Sequence, residues 1–347
     1  MKKIILLISS LASCAAVYGQ TVVIKHVSRH KDYVKDFYKN HLIIRAYESS
    51  KFNSFKFIDG KDDVVYKPNH HNDVGLGFTY KIISVNCEFY VPVFGQNNNK
   101  YGVTHSFDVQ TYAYVHRFVI DLLAQVYHGY YLSNVNGSVS SNLPPVVVRP
   151  DMATKNISLA CQYVFNDEHF SFNAPFYQNE IQLKSAGSFL LGGGLYHNDG
   201  NADSSFIPSQ INKADFFGDH RFNGYSYTSI AATGGYAYTQ VIGKRFFITG
   251  ALSAGCGIGY SSIAGDNMNR SSSKAGPEYI ANGKFAAGYT NDKYFAGVTY
   301  VRVVTEINSV VPHTWQQDNM GNFRFTVAER FRLKKSLIPK SDVIKID

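Results

Sequence analysis

This chain has little charge and no long apolar run. Charged residues make up 17% of its 347 positions, below the ~25% usual in soluble domains. Past the leader, no stretch approaches ~18 uninterrupted apolar residues, so a membrane-spanning helix is excluded. Tryptophan occurs once and cysteine four times. Beyond Cys14, the remaining Cys87, Cys161 and Cys256 are odd in number and lack metal-like spacing, so neither a disulfide framework nor a metal site is expected of them. They suit the role of small apolar residues in strands. The basic excess is thin as well. A net charge of +8, or +6 without Lys2 and Lys3, is scattered along the chain, which argues against nucleic acid and leaves anionic lipid headgroups as an electrostatic partner. What is abundant is tyrosine and phenylalanine, 25 each, and glycine, 28.

The leader has the layout of a secretory signal. Lys2 and Lys3 precede the apolar run Ile4 to Ile8, and small residues follow through Ala16. Cleavage after Gly19 would leave Gln20 first. Leu11-Ala12-Ser13-Cys14 also has the form of a lipobox, which would place lipid on Cys14. An exported chain without a spanning helix is periplasmic, secreted or an outer-membrane barrel.

The segment Lys244 to Tyr260 favours the barrel. Every second residue gives Phe246, Ile248, Gly250, Leu252, Ala254, Cys256, Ile258 and Tyr260, an apolar row with aromatics at both ends, while Thr249, Ala251, Ser253, Gly255, Gly257 and Gly259 occupy the other face. A barrel strand needs about 9–11 residues to cross the hydrocarbon, with aromatic girdles at each border. Ile248 to Ile258 fits that span, so Phe246, Ile248, Leu252, Ile258 and Tyr260 are expected to face lipid. A soluble periplasmic β protein with ordinary half-buried strands is the structural rival.

The alternation recurs along the chain. Strands are expected near 42–58, with a bulge at Ser49-Ser50, and near 74–81, 83–91, 104–115, 117–131, 156–166, 181–197, 225–240, 244–260, 281–290, 293–305 and 321–333. Short turns alternate with long polar connections, as in barrels with short periplasmic turns and long external loops. The fold class expected is all-β, a transmembrane antiparallel up-and-down barrel of about 12 strands with both termini periplasmic in the outer membrane. The chain divides into a signal peptide at 1–19, a lead-in at 20–40, the barrel at 41–333 and a tail at 334–347. Within the lead-in, Tyr33, Val34, Phe37 and Tyr38 are spaced for an amphipathic helix. One connection breaks the pattern: Asp167 to Gln178 belongs with the short turns yet is long and carries Phe170, Phe172, Phe176 and Tyr177. It either folds back over the barrel end or extends its flanking strands.

Catalytic signals are weak. His70-His71 beside Asp73 is the one acid–base or metal grouping, and a solvated loop accounts for it equally well. Gly192-Gly193-Gly194 and the Gly255, Gly257, Gly259 ladder sit at no strand-to-helix turn, so they are not a dinucleotide fingerprint. They make room in a narrow barrel. The polar residues assigned to the lumen are Asp108, Gln110, Arg117, Asp121, Gln125, Arg245 and Arg302. These either pair and fill the barrel or line an aqueous path. Asp108, Arg117 and Asp121 are expected to cluster across the 104–131 hairpin.

Pro68-Asn69, Gly75-Leu76-Gly77-Phe78-Thr79-Tyr80-Lys81, Thr104 with Phe107-Asp108-Val109-Gln110, and Gln125-Val126-Tyr127-His128-Gly129-Tyr130-Tyr131 carry a resemblance. The stretch Val74 to Asn134 resembles an uncharacterised domain-of-unknown-function family of predicted Gram-negative outer-membrane proteins. The resemblance implies a barrel of unassigned activity and supplies no catalytic residues. The usual aromatic assembly signal at a barrel's end would be Phe331, here followed by sixteen further residues.

Three functions are expected in order. The first is a narrow channel or transporter for small solutes. The second is a closed barrel whose loops, with Asn97 to Asn99, Tyr101 and the Asn198 to Gly224 connection, bind a partner or surface glycan. The last is an interfacial lipid-modifying enzyme. Expected partners are outer-membrane lipid, the barrel-assembly machinery and a small solute or glycan, with no nucleic acid. No cofactor, metal or catalytic residue is expected.

Overall fold

The structure is a computed structural model and describes residues 22–23, 29–37, 41–69, 72–80, 83–90, 97–115, 117–136, 146–209, 216–265, 272–334 and 344–345. The leader at 1–19 with Cys14, the pair His70-His71 and most of the 334–347 tail fall outside these residues. Two short helices are α1 (Asn98–Tyr101) and α2 (Asn173–Tyr177). The strands are β1 (Val22–Val23), β2 (Val34–Asp36), β3 (His41–Asp59), β4 (Asp62–Lys67), β5 (Asn72–Tyr80), β6 (Ile83–Tyr90), β7 (His105–Val115), β8 (Phe118–Asn136) and β9 (Val147–Val164). They continue with β10 (Glu180–Gln182), β11 (Ala186–Asn201), β12 (Gly224–Ile242), β13 (Phe246–Ala264), β14 (Ser272–Thr290), β15 (Tyr294–Asn308), β16 (Thr314–Arg332) and β17 (Ile344–Lys345).

Ten strands close a ring in the order β3, β4, β8, β9, β11, β12, β13, β14, β15, β16 and back to β3. The closing pair runs antiparallel without interruption from Thr314 opposite Asp59 to Arg332 opposite His41. In the loop-end half, where β4 joins β3 to β8, this ring leaves no edge of unpaired backbone groups. The expected bulge at Ser49-Ser50 is absent. Both residues pair in register with Arg324 and Phe323, because the bend falls instead on the partner side, where Pro68 and Asn69 separate β4 from β5.

The expected twelve strands become ten closed and three more attached. Strand β4 covers the upper part of β3 and β5 covers its lower part, so the two form one descending strand with a break. Strand β6 then pairs with β5, and β7 pairs with the lower part of β8. No pairing joins β6 to β7 among the described residues. The described part of β6 and of β7 is thus paired on one side only, in the half nearer the tight turns. Strand β8 changes partner from β7 to β4 at a bulge between His128 and Tyr130. Gly129 takes φ +91 there, where a Cβ would run into the carbonyl of Val103.

The lead-in helix is corrected to a strand. Residues 31–33 form a turn, and β2 pairs antiparallel with β10. Val34 and Phe37 are buried, and docking beside β10 satisfies backbone groups that a lone two-turn helix would leave to water. At the margin of the chain, β1 pairs in parallel with β17.

Side chains alternate in and out around the ring. On β13, Thr249, Ala251 and Ser253 point inward and are buried, while Phe246, Ile248, Leu252, Ile258 and Tyr260 are exposed. The outward row of β11 reads Phe189, Leu191 and Leu195 before turning to His197 and Asp199; that of β16 reads Phe331, Val327, Phe325 and Phe323 before Asn319 and Gln317. An apolar belt thus girdles the half nearer the tight turns. Strands of 19 residues, at roughly 3.3 Å per residue and a tilt of about 40°, stand ~45–50 Å high against a band of ~25 Å. The remaining height projects beyond the belt at the loop end.

Candidate functional site

The lumen encloses the buried groups of the described barrel, and its contents lie in layers from the turn end to the loop end. The lowest layer is the connection between β9 and β11. Phe170 and Phe172 are buried among inward residues Val119, Leu190, Ala237 and Ala251, and Phe176 packs towards Ile43, Phe247, Ala286 and Phe295. Helix α2 therefore sits inside the barrel as a plug. Buried ionic and polar groups fasten it. Arg29 pairs with Asp167 and, at 3.2 Å, with Glu180, and Ser171 donates to Glu180. Arg330 donates from β16 to the carbonyls of Gln178 (2.7 Å), Asn291 (2.6 Å) and Tyr294 (3.3 Å), with its plane over Phe37.

Above the plug lie two small cavities of about 50 and 70 Å³ that share Lys284 as a wall. Each is wide enough for a few waters or a small ion and far below the ~300 Å³ at which drug-sized sites begin. Arg45 faces the lower one. It is 3% exposed, donates from one terminal nitrogen to Thr79 Oγ1 and, at 3.1 Å, to Ser84 Oγ, and its Nε has no hydrogen-bond partner among the described residues. Arg324, on the same wall, lies over the ring of Tyr47 at 4.3 Å. A Cβ at Gly75 would collide with that ring at 2.3 Å, so glycine there lets Tyr47 lie flat against the wall. In the upper cavity Lys284 donates to Asp121 at 3.0 Å, and its ammonium also lies over Phe172 of the plug.

At the loop end the mouth is filled by an aromatic cluster. Phe55, Phe57 and Tyr66 from the wall meet Phe206, Phe217, Phe222 and Tyr225, with many ring centroids 5–6 Å apart in edge-to-face or tilted contact, the geometry aromatic quadrupoles favour. Arg149 and Asp151 clamp the capping segment. Their bidentate pair, at 2.9 and 2.8 Å, also holds the carbonyls of Ser204 and Ser205 and the amides of Asp203 and Ser204. This pair stands in the projecting part, and the Arg149 hydrogen bond holds Asp151 well below the usual carboxylate value, at about 2. Both ends of the lumen are thus filled among the described residues.

The sequence-assigned lumen residues divide. Asp108, Asp121 and Gln125 point inward; Asp108 accepts from Gln125 at 2.7 Å and from the Tyr127 hydroxyl at 3.3 Å. The side chain of Gln110 falls outside the described residues. Arg117 is corrected to the rim, bound to the Tyr163 hydroxyl at 3.1 Å and Glu168 at 3.2 Å, so no Asp108, Arg117, Asp121 cluster forms. Arg245 likewise sits in an exposed turn, 3.4 Å from the Tyr289 hydroxyl. Both arginines precede the first strand residue, where the alternation had been extended one step too far. Arg302 faces outward and donates to Asn319 at 2.7 Å. Valines 298, 301, 303 and 304 make both faces of β15 apolar, which left its parity ambiguous. Asp73 is buried and pairs with Lys51 at 3.3 Å. On the exterior, His197 bridges Asp199 (2.9 Å) and Thr228 (2.8 Å) just beyond the belt, away from any lumen cavity.

Sequence reasoning missed Arg45, Lys284 and Arg324. For Lys284 the signal was present, since Ala281, Gly283 and Phe285 alternate with Asn282 and Lys284. The missed Arg45 follows from the presumed bulge, which blurred the parity of β3.

The family described as Domain of unknown function (DUF4421) matches residues 29–331. No curated protein matches the chain. Among solved structures, the outer membrane protease OmpT from Escherichia coli shares 9% identity over 86% of this chain and 98% of its own, with a TM-score of 0.36. The outer membrane protein OprG from Pseudomonas aeruginosa shares 10% over 86% and 98%, with a TM-score of 0.23. The toluene transporter TodX of P. putida shares 7% over 86% and 91%, with a TM-score of 0.21.

Proposed function

The chain belongs to the DUF4421 family, and from that premise we propose that it is an outer-membrane barrel whose lumen admits a small anionic solute to the cavity at Arg45, passage being controlled by the α2 plug. Both termini would lie in the periplasm, and no catalytic step is assigned. The observation that carries this reading is Arg45 itself. A buried guanidinium is ordinarily matched by carboxylates or carbonyls, whereas Arg45 meets two neutral hydroxyls, leaves its Nε unbonded among the described residues and lines a cavity of ion size. A small carboxylate or phosphate would complete its hydrogen bonds. The belt supports the membrane location, since its exposed aromatic and aliphatic rows have no favourable place in water.

The test is conductance in a planar bilayer with the folded protein. The intact barrel is expected to be silent or to open rarely. Phe172→Ala with Phe176→Ala should give discrete steps that prefer anions, and Arg45→Gln added to that pair should lower the preference. Plug-loosened protein that is inserted yet silent, or a selectivity indifferent to Arg45, would overturn the proposal.

A second reading rests on the filled mouth, where Arg149 and Asp151 fix the capping segment at the projecting end. A closed barrel presenting that end to a partner or glycan would need such rigidity. It predicts silence from both proteins.

A further inference from the structure

Outside the lumen, three side chains meet on the outer face of the barrel where the apolar belt ends. His197 of β11 lies 2.9 Å from Asp199 through Nε2 and 2.8 Å from Thr228 of β12 through Nδ1. In register, His197 stands opposite Thr228, and Thr228 opposite Tyr260. The next outward row on the belt side is Leu195, Ile230 and Ile258, which are 52%, 62% and 68% exposed. The next row on the loop side is polar, with Lys155 opposite Asp199 and Asp199 opposite Ser226. Two residues of strand, at about 3.3 Å each and a tilt near 40°, set His197 and Thr228 about 5 Å above the apolar row. That height falls in the interfacial layer, roughly 5–8 Å deep on each side of the hydrocarbon, where the ester groups of a lipid lie.

The hydrogen bonds assign the roles. An ionised carboxylate only accepts, so in the neutral ring Nε2 carries the proton toward Asp199 and Nδ1 keeps its lone pair. Thr228 then donates its hydroxyl to Nδ1. Carboxylate, imidazole and hydroxyl in this order give a weak nucleophile its adjacent base, a constellation recognised by geometry and not by position in the chain. The ring is turned relative to serine proteases, with Nδ1 and not Nε2 facing the hydroxyl. The side chains of His197 and Asp199 are 39% and 43% exposed, and Thr228 is exposed, so a lipid beside the wall reaches all three.

We propose that Thr228, His197 and Asp199 hydrolyse the acyl esters of glycerophospholipids lying against β11 and β12. Thr228 Oγ attacks the ester carbonyl carbon while His197 Nδ1 takes its proton. The bond from that carbon to the glycerol oxygen breaks, the oxygen takes the proton from His197, and a lysophospholipid leaves. Water then attacks the acyl-threonine carbonyl as Nδ1 takes one of its protons. Fatty acid departs, and that proton returns to Thr228 Oγ. The sum is one ester and one water giving one lysophospholipid and one fatty acid. Asp199 is a positioning residue, holding the tautomer and stabilising the imidazolium. Exposed Lys155, on the loop side, offers its ammonium to the lipid phosphate, and Leu195 and Ile230 lie along the acyl chain. The activity rests on the membrane location proposed above and uses no part of the lumen.

The experiment presents the full chain, folded in detergent, with phosphatidylethanolamine in mixed micelles and measures release of fatty acid. Thr228→Val and His197→Asn should each lower the rate about 100-fold or more, whereas Thr228→Ser, which keeps the hydroxyl, should restore it. Asp199→Asn should lower kcat about tenfold or more with KM unchanged, and should move the acid limb of the pH–rate profile to lower pH, because the carboxylate favours the protonated ring. A fluorophosphonate should attach to Thr228, as peptide mass spectrometry reads, and should fail to attach in His197→Asn. No release and no labelling from folded protein would overturn the proposal, as would release that persists in both Thr228→Val and His197→Asn. Release from phosphatidylethanolamine vesicles as well as micelles would support the depth of the trio; release from micelles alone would uphold the chemistry and overturn its placement at the ester.

Discussion

Replacing Leu252 by arginine tests the membrane placement on which every functional statement depends. Leu252 is 73% exposed, so on a water-facing surface the change would cost no more than about 0.5 kcal/mol. It stands six residues beyond Phe246 on β13. At about 3.3 Å per residue and a tilt near 40°, that places it roughly 15 Å into a band of about 25 Å, close to the midplane. Arginine there should cost about 2–4 kcal/mol, or roughly 30- to 700-fold in the folding equilibrium. Its small neighbours Gly250 and Gly283 leave the long side chain room to bend. Ser273→Arg is the control, because Ser273 faces outward beyond Tyr260, whose hydroxyl it accepts at 2.6 Å; its cost should stay near 0.5 kcal/mol. Urea unfolding in phosphatidylcholine vesicles, with midpoint and slope fitted together, measures both. Equal costs at the two positions would refute the belt.

Other consequences follow from the layers inside. Phe172→Ala removes a ring that is 2% exposed and should lower plug stability by about 3–5 kcal/mol; hydrogen exchange should quicken over 173–182 while the amides of β12 and β13 stay protected, and equal loss in both would show that the plug is no separate unit. The Asp151 carboxyl, held at about 2 by Arg149 against an ordinary value of 3.8, contributes stability that is fully present above pH 4 and is lost as the pH falls towards 2. Protease cleavage within 202–209 should therefore appear in that acid window, and at neutral pH in Asp151→Asn; resistance in the variant would break the clamp argument. Gly129→Ala should cost more than about 1 kcal/mol, since φ is +91 and the new Cβ would meet the Val103 carbonyl at 2.2 Å; an unchanged urea midpoint would count against the bulge.

The wall of this barrel was legible because lipid and lumen impose opposite demands on alternate residues. On β13 the contrast between Leu252 and Ser253 sets the face of each. Where both faces are apolar, as at Val301, Val303 and Val304, the alternation carries no parity, and Arg302 was assigned inward when it points outward. The strand count shifted for a different reason. Sequence patterns mark segments but not which segments share a line, and β4 and β5 are one descending strand interrupted at Pro68 and Asn69. The plug was visible as an anomaly, four aromatics in a connection that should have been a short turn. Its direction was not, because Phe172 and Phe176 suit a lipid border as well as a packed interior. The layers that cross the lumen, such as Tyr227 reaching Asp318, depend on which strands stand opposite one another, and that is fixed only when the ring closes.

Three deeply buried arginines, Arg29, Arg45 and Arg330, differ in how their charge is met within one lumen. Arg29 is matched by Asp167 and Glu180, and Arg330 by carbonyls of Gln178, Asn291 and Tyr294 and by Thr290 Oγ1 at 3.2 Å. Both complete the seal of the turn end, and their hydrogen bonds are answered by acceptors strong enough to offset burial. Arg45 is as deeply buried, yet its acceptors are two hydroxyls that could be satisfied by each other, as Thr79 and Ser84 already are at 3.0 Å. A leucine or methionine at that position would fill the same space without desolvating a charge. Packing therefore gives no reason for the guanidinium; on the proposed reading, an anion between Arg45 and the plug would balance the charge, and moving the plug would free it.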